Sequence, residues 1–172
     1  MDQETELARR AAAGDAAAFA VLVRAHEGAV RRFLARLVRG DGADDLAQEV
    51  FLKAWRKAGE WRGDGSYRGW LMRIAWTAFL SAHRARGRRD VRDQTAYEQQ
   101  SEVQRDPGAA IDLERALAEL GPRERAASLL CFGEGCTHGE AARIMGLPLG
   151  TLKSIVARAR AALVQRLETI HD

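Results

Sequence analysis

The chain is short of residues that interrupt helices and of residues that favour sheets. Only three prolines occur in 172 residues, tyrosine appears twice, and aromatic residues make up 6% of the total. With few β-branched runs and with Ala, Leu, Arg and Glu throughout, helix is favoured nearly everywhere and no substantial sheet is expected. No apolar run approaches membrane-spanning length, and Met1 to Leu7 carries three acids and no apolar segment. Neither a membrane span nor a secretory signal is therefore expected, and the location read from this is cytoplasmic. Cysteine is scarce too, with Cys131 and Cys136 as the pair. They read as reduced, half-buried thiols. With His138 they could ligate zinc, but no fourth ligand is evident, so no metal and no cofactor is expected.

What is present bounds the answer from the other side. A hydrophobic content of 47% is ample for a packed core and excludes disorder throughout. The 27 Lys and Arg nearly balance the 24 Asp and Glu, for a net charge of +3. The sum says little about partners, so the placement of the charge must decide.

Periodicity divides the chain into helices. A first stretch through Leu7 to Ala13 breaks at Gly14, and Asp15 can cap a long helix carrying Phe19, Leu22, Val23, Val30, Phe33, Leu34 and Leu37 as a core stripe. His26 on that helix is read as a packed core residue without a function. After Gly40, Asp41 and Gly42, Asp44 or Asp45 is expected to cap a helix with Leu46, Val50, Phe51, Ala54 and Trp55 inside. Asp45, Gln48, Glu49 and Lys53 then lie outside. Trp61 to Ser66 is turn chemistry. A third helix is predicted from about Tyr67 to Arg86, with Trp70, Leu71, Ile74, Ala75 and Ala78 inward. The apolar pattern stops near Gly87 and resumes at Ala109, so residues 88–108 read as a polar linker between two loosely tethered domains, 1–87 and 109–172. The fold class expected is all-α, two small helical domains.

The C-terminal domain carries the strongest local signal. In His138-Gly-Glu-Ala-Ala-Arg-Ile-Met-Gly-Leu-Pro-Leu-Gly-Thr-Leu152, Ala142 supplies the small residue at a helix crossing, Gly146 the turn and Leu152 the anchor of a second helix. These are the parts of a helix-turn-helix. Leu149, Leu152, Val156, Ala159 and Leu163 form the inner stripe of that second helix, which leaves Lys153, Ser154, Ala157, Arg158 and Arg160 for solvent or DNA. Arg can fork onto guanine, while Lys and Ser can hold phosphate or a base edge. A second basic patch, Arg84, Arg86, Arg88, Arg89 and Arg92, follows Trp61, Tyr67, Trp70, Trp76 and Phe79. Rings beside arginines suit single-stranded nucleic acid, because bases stack while phosphates meet cations. Most of these rings can equally be core, and that reading is favoured for Trp70.

Together these motifs resemble a known family. Asp44-Asp-Leu-Ala-Gln-Glu-Val-Phe-Leu-Lys-Ala-Trp55 and Trp61-Arg-Gly-Asp-Gly-Ser-Tyr-Arg-Gly-Trp-Leu-Met-Arg-Ile-Ala75 are similar to region 2 of extracytoplasmic-function sigma factors of bacterial RNA polymerase. Leu120-Gly-Pro-Arg-Glu-Arg125, Gly150-Thr-Leu-Lys-Ser154 and Arg158-Ala-Arg160 are similar to their region 4. The resemblance implies that Asp45, Gln48 and Glu49 dock on core polymerase. It implies that Trp61, Arg62, Ser66, Trp76, Thr77, Arg84 and Arg86 serve minus-10 capture and melting. It places Thr151, Lys153, Ser154, Ala157, Arg158 and Arg160 on the minus-35 element of promoter DNA, and it implies an anti-sigma protein as a further partner. The chain departs from the family at Thr77, Ser81, Ile155 and Ala157, all expected at nucleic-acid surfaces.

Two other classes compete with this reading. A sigma mimic that binds only an anti-sigma protein would keep the core stripes and lose the basic readers, yet Lys153, Arg158, Arg160 and the arginine cluster are present. A hydrolase built on Cys136 and His138 would need an orienting third group and an oxyanion hole, and neither is apparent. The expectation is a binding protein and not an enzyme.

Overall fold

In a computed structural model, the described residues are 3–92 and 109–171, and among them every regular element is helical. Asp15 begins the architecture as expected: its carboxylate accepts from the backbone N–H groups of Ala17 and Ala18, both at 3.0 Å, and from Arg10 at 2.6 Å. This cap separates α1 (Gln3–Ala12) from α2 (Ala16–Leu37), whose Leu22, Val30, Phe33, Leu34 and Leu37 are buried. Helix α3 (Ala43–Arg56) starts differently from expectation. Its N-cap is Gly42, at φ 110°, while Asp44 and Asp45 sit in the first turn. Carboxylates there meet the positive end of the helix dipole without capping it.

Helix α4 (Tyr67–Arg92) overruns its expected end near Arg86, and residues 88–92 are helical instead of linker. Past Gly87 every residue tolerates helix, and arginines are favourable at the negative C-terminal end of a helix. The remainder of the expected linker, 93–108, lies outside the described residues. Tyr67, Leu71, Met72, Ala75, Trp76, Ala78 and Phe79 of α4 are all buried, because α2 and α3 cover one side and α7 covers another.

The C-terminal half is α5 (Ala109–Glu119), α6 (Pro122–Ser128), a π-helical turn Leu129–Gly133, α7 (His138–Met145) and α8 (Leu149–His171). The halves are not loosely apposed: α7 lies on α4 and α6 touches α2, so a single cluster of buried side chains runs through both. Arg125 bolts this junction. It is 4% exposed, and its guanidinium donates to the carbonyls of Leu117, Ala118 and Leu120 at 2.7 to 2.8 Å and to that of Leu37 in α2 at 3.2 Å. The first three carbonyls cluster at the C-terminal end of α5, where a cation is favoured.

Candidate nucleic-acid interface

The helix-turn-helix is built from its local chemistry. Thr137 accepts from the N–H of Glu140 at 3.2 Å, and the Glu140 carboxylate accepts from the N–H of Thr137 at 2.8 Å, closing a capping box on α7. Gly146 ends α7 in the left-handed region, at φ 65°, which a side chain would resist. Ala142 and Leu152 are buried where the two helices cross. Along α8 the buried residues are Leu152, Ile155, Val156, Ala159 and Leu163, whereas Leu149 is 45% exposed. The inner stripe is thus rotated from the expected one: Ile155 belongs to the core, and its position offers no place for a base-reading side chain. Thr151, Lys153, Ser154, Ala157, Arg158 and Arg160 are all exposed, as one outward face. Ser154 donates to the Gly150 carbonyl at 3.1 Å, and Arg158 lies 3.9 Å from Glu124.

The second expected surface is only partly assembled. Arg62, Ser66, Thr77, Arg84 and Arg86 are exposed. The Ser66 hydroxyl accepts from the Gly69 N–H at 3.0 Å, tying the 61–66 loop to the first turn of α4, and Thr77 donates back to the Arg73 carbonyl. Trp76 is corrected by the structure: it is 3% exposed and stacks on Phe79 at a 5.7 Å centroid distance, so in this conformation it is core and presents no ring to a base. Trp61 is half-buried against Tyr67, edge to face at 5.4 Å, and Tyr67 continues to Trp70 at 5.2 Å. Burial, with a smaller push from the Glu4 carboxylate, raises the Tyr67 phenol to about 12. The Trp61 indole N–H and the Tyr67 hydroxyl are buried without a hydrogen-bond partner. His26 is held by Glu4 at 2.7 Å and lies beside Tyr67, the packed position expected of it.

The third surface is the outward face of α3. Asp45, Gln48 and Glu49 are exposed together, with Glu49 paired to Lys53 at 2.5 Å. Leu52 is 57% exposed on this helix, an apolar residue that amphipathic reading overlooked. A cavity of about 640 Å³ lies beside this face. It is lined by Asp45, Glu49, His83 and Arg86 from one half and by Glu119 and Pro122 from the other. Sequence reasoning also missed a groove along α8, lined by Lys153 and Arg160 and by Phe132 and Val164, which are 55% and 48% exposed.

Burial pushes both thiols above the ordinary cysteine value, for Cys131 with a further push from Cys136, which makes each a poorer nucleophile. Among the described residues no group of His, Cys, Asp and Glu is placed to hold a metal ion, and no helix is long and apolar enough to cross a membrane.

Comparison with known proteins agrees with the geometry. The Sigma-70 region 2 family matches residues 22–89, which hold α3 and the 61–66 loop, and the Sigma-70 region 4 family matches residues 110–163, which hold the helix-turn-helix. RNA polymerase sigma-H factor of Pseudomonas aeruginosa is 30% identical, across 98% of this chain and 96% of its own. The ECF RNA polymerase sigma factor SigM of Mycobacterium tuberculosis is 36% identical, across 95% and 84%. Among solved structures, the sigma factor RpoE of Bartonella quintana, in complex with the anti-sigma factor NepR, superposes with a TM-score of 0.78 at 30% identity, covering 87% of this chain and 96% of that one. The chain belongs to the extracytoplasmic-function sigma factors of the sigma-70 family, initiation factors that bind RNA polymerase and direct it to promoters and that are not enzymes.

Proposed function

We propose that this sigma factor divides its contacts among three surfaces. The α3 face, Asp45, Gln48 and Glu49, docks on core polymerase. The 61–66 loop, with Trp61, Arg62 and Ser66, captures the minus-10 element with help from Thr77, Arg84 and Arg86 on α4. The outward face of α8, Thr151, Lys153, Ser154, Ala157, Arg158 and Arg160, reads the minus-35 element. The observation that carries this reading is the α8 face itself. Leu152, Ile155, Val156, Ala159 and Leu163 are buried, so the basic residues have no direction left but outward, and a helix so presented fits a major groove. Polymerase supplies the chemistry, and this chain supplies position and binding free energy. We also propose an anti-sigma protein as a partner, as for the Bartonella relative, and action in the cytoplasm.

The test uses the full chain with bacterial core polymerase and a promoter selected from a random pool. Arg158→Ala is expected to weaken promoter binding by about 1–3 kcal/mol if its fork meets a base, and Lys153→Ala to lower the salt dependence instead. Asp45→Lys with Glu49→Lys is expected to abolish polymerase capture. Wild-type transcription from a promoter that needs its minus-35 element, in both α8 variants, sinks the α8 assignment.

A further inference from the structure

Glu134, in the turn after the π-helical segment, lies outside the expected site residues. Its side chain is 7% exposed, a depth at which carboxylates are found only when paired. Its partners come from the other half of the chain. Arg68, in the first turn of α4, donates to the Glu134 carboxylate and, at 3.1 and 3.2 Å, to the Glu134 backbone carbonyl. Arg32 of α2 reaches the same carboxylate at 3.5 Å.

Glu134 is held stiffly by its own half. Its N–H donates to Leu129 at 2.8 Å, the Cys136 N–H donates to Leu130 at 2.9 Å, and Gly135 turns the chain between them at φ 68°. The acid is thus presented by a rigid turn to two guanidiniums. Arg68 stands two residues after the 61–66 loop, and Arg32 meets it at the shared carboxylate. Arg143 of α7 lies over the same place. Its guanidinium would be 3.4 Å from a Cβ on Gly65, and its carbonyl accepts from Arg73 at 3.5 Å. Two arginines converging on one group through several oxygens is the arrangement that recognises phosphate. A carboxylate beside a carbonyl offers oxygens in similar directions.

We propose that Arg68 and Arg32 form a phosphodiester-binding site for promoter DNA beside the 61–66 loop, which Glu134 fills as an internal surrogate while the halves are closed. This rests on the reading of that loop as the minus-10 element's contact. DNA then opens the chain by competing for the same two arginines, and the closed chain binds DNA more weakly than its surface charge allows. The acid and the arginine play opposite parts, which gives the test its leverage.

Four full-length proteins, wild type, Glu134→Gln, Arg68→Gln and Arg68→Lys, are titrated with a short fluorescein-labelled single-stranded DNA of random sequence, both free and assembled with bacterial core polymerase. Each Gln variant removes one end of the same ion pair, so a purely structural tie moves both in one direction. Glu134→Gln is expected to tighten binding of the free chain several-fold. Arg68→Gln is expected to weaken it several-fold and to lower the slope of log affinity against log salt by about one. Arg68→Lys, which keeps the charge and loses the fork, is expected to fall between, and thermal melting of each variant shows that it is folded. Binding by Arg68→Gln as tight as that by Glu134→Gln, with an unchanged salt slope, overturns the phosphate site. Loss in Arg68→Gln without gain in Glu134→Gln overturns the surrogate. The loop reading fails separately, if Trp61→Ala in assembled polymerase still distinguishes the selected minus-10 strand from a scrambled one.

Discussion

The two halves of the molecule solve the packing problem with different materials. The N-terminal core is aromatic: Phe33, Tyr67, Trp76 and Phe79 are buried there, with Trp61 and Trp70 against them. The C-terminal half has one aromatic residue, Phe132, and it is 55% exposed, so its core is Ala, Leu, Ile, Val and Met. Aromatic rings bury large areas each, and a domain without them must close with small side chains at close helix approach. That closeness is what a helix-turn-helix needs, and Ala141 and Ala142 of its first helix are both buried. The C-terminal half is compensated by polar fastenings: Arg125 on four carbonyls and the capping box at Thr137.

The sharpest way to break this comparison is to remove one fully buried side chain from each core. Phe33 and Leu152 are 1% and 0% exposed. In the full chain Phe33→Ala is expected to cost about 3–5 kcal/mol and Leu152→Ala about 2–5 kcal/mol, measured by denaturant unfolding. Helix-resolved hydrogen exchange separates their reach. Phe33→Ala is expected to loosen α2 to α4 first, and Leu152→Ala to loosen α5 to α8 first. Uniform loss of protection in both variants would mean one indivisible core, and the contrast drawn above would fall.

Next in size is the bolt. Arg125→Met keeps much of the apolar stem and deletes the donors to Leu117, Ala118, Leu120 and Leu37. Acceptors left unpaired in a buried place carry a desolvation penalty, so a loss of roughly 2–3 kcal/mol is expected, seen as a lower denaturant midpoint. Faster exchange of α5 amides than of α3 amides would locate the loss at the junction. An unchanged midpoint would show that water replaces the guanidinium without penalty and that the junction owes its stability to apolar contact.

Much of this was legible in the residues, and the illegible parts have physical causes. Asp15 could be read as a cap because an acid before a periodic apolar stripe has one economical use. Ala142, Gly146 and Leu152 were legible as a helix-turn-helix because each position tolerates few residue types. Trp76 was not legible as core. Helix α4 is covered on more than one side, so its apolar residues mark no single stripe. Ile155 was missed because a spacing of three and four admits two neighbouring stripes, one through Leu149 and one through Ile155. The packing of α8 on α5, α6 and α7 chooses between them. Arg125, Glu134 and Arg68 were out of reach for a further reason. A charged residue reads as surface in a sequence, and the partners that bury these stand far along the chain in two cases, 88 residues apart for Arg125 and Leu37 and 66 for Arg68 and Glu134.

The smallest effect concerns the capping box, and it sharpens the contrast through pH. The backbone N–H of Thr137, and then its hydroxyl, hold the Glu140 carboxyl below the ordinary value of 4.5. A carboxylate whose affinity for protons is lowered by folding stabilises the fold while ionised. That contribution is complete above the ordinary glutamate range and is lost as pH falls through the depressed folded value. Glu140 is mostly solvated, so screening keeps the effect small. Thr137→Ala removes the hydroxyl and is expected to cost about 1 kcal/mol at neutral pH, as lost caps do. Glu140→Gln keeps a side-chain acceptor for the Thr137 N–H but has nothing to titrate. Its melting temperature should therefore lie below that of the wild type at neutral pH and meet it only once pH has fallen below the depressed folded value of Glu140. A wild-type and Glu140→Gln difference that persists undiminished into acid would show that the box contributes through shape alone, and that the C-terminal half draws no charge-dependent stability from it.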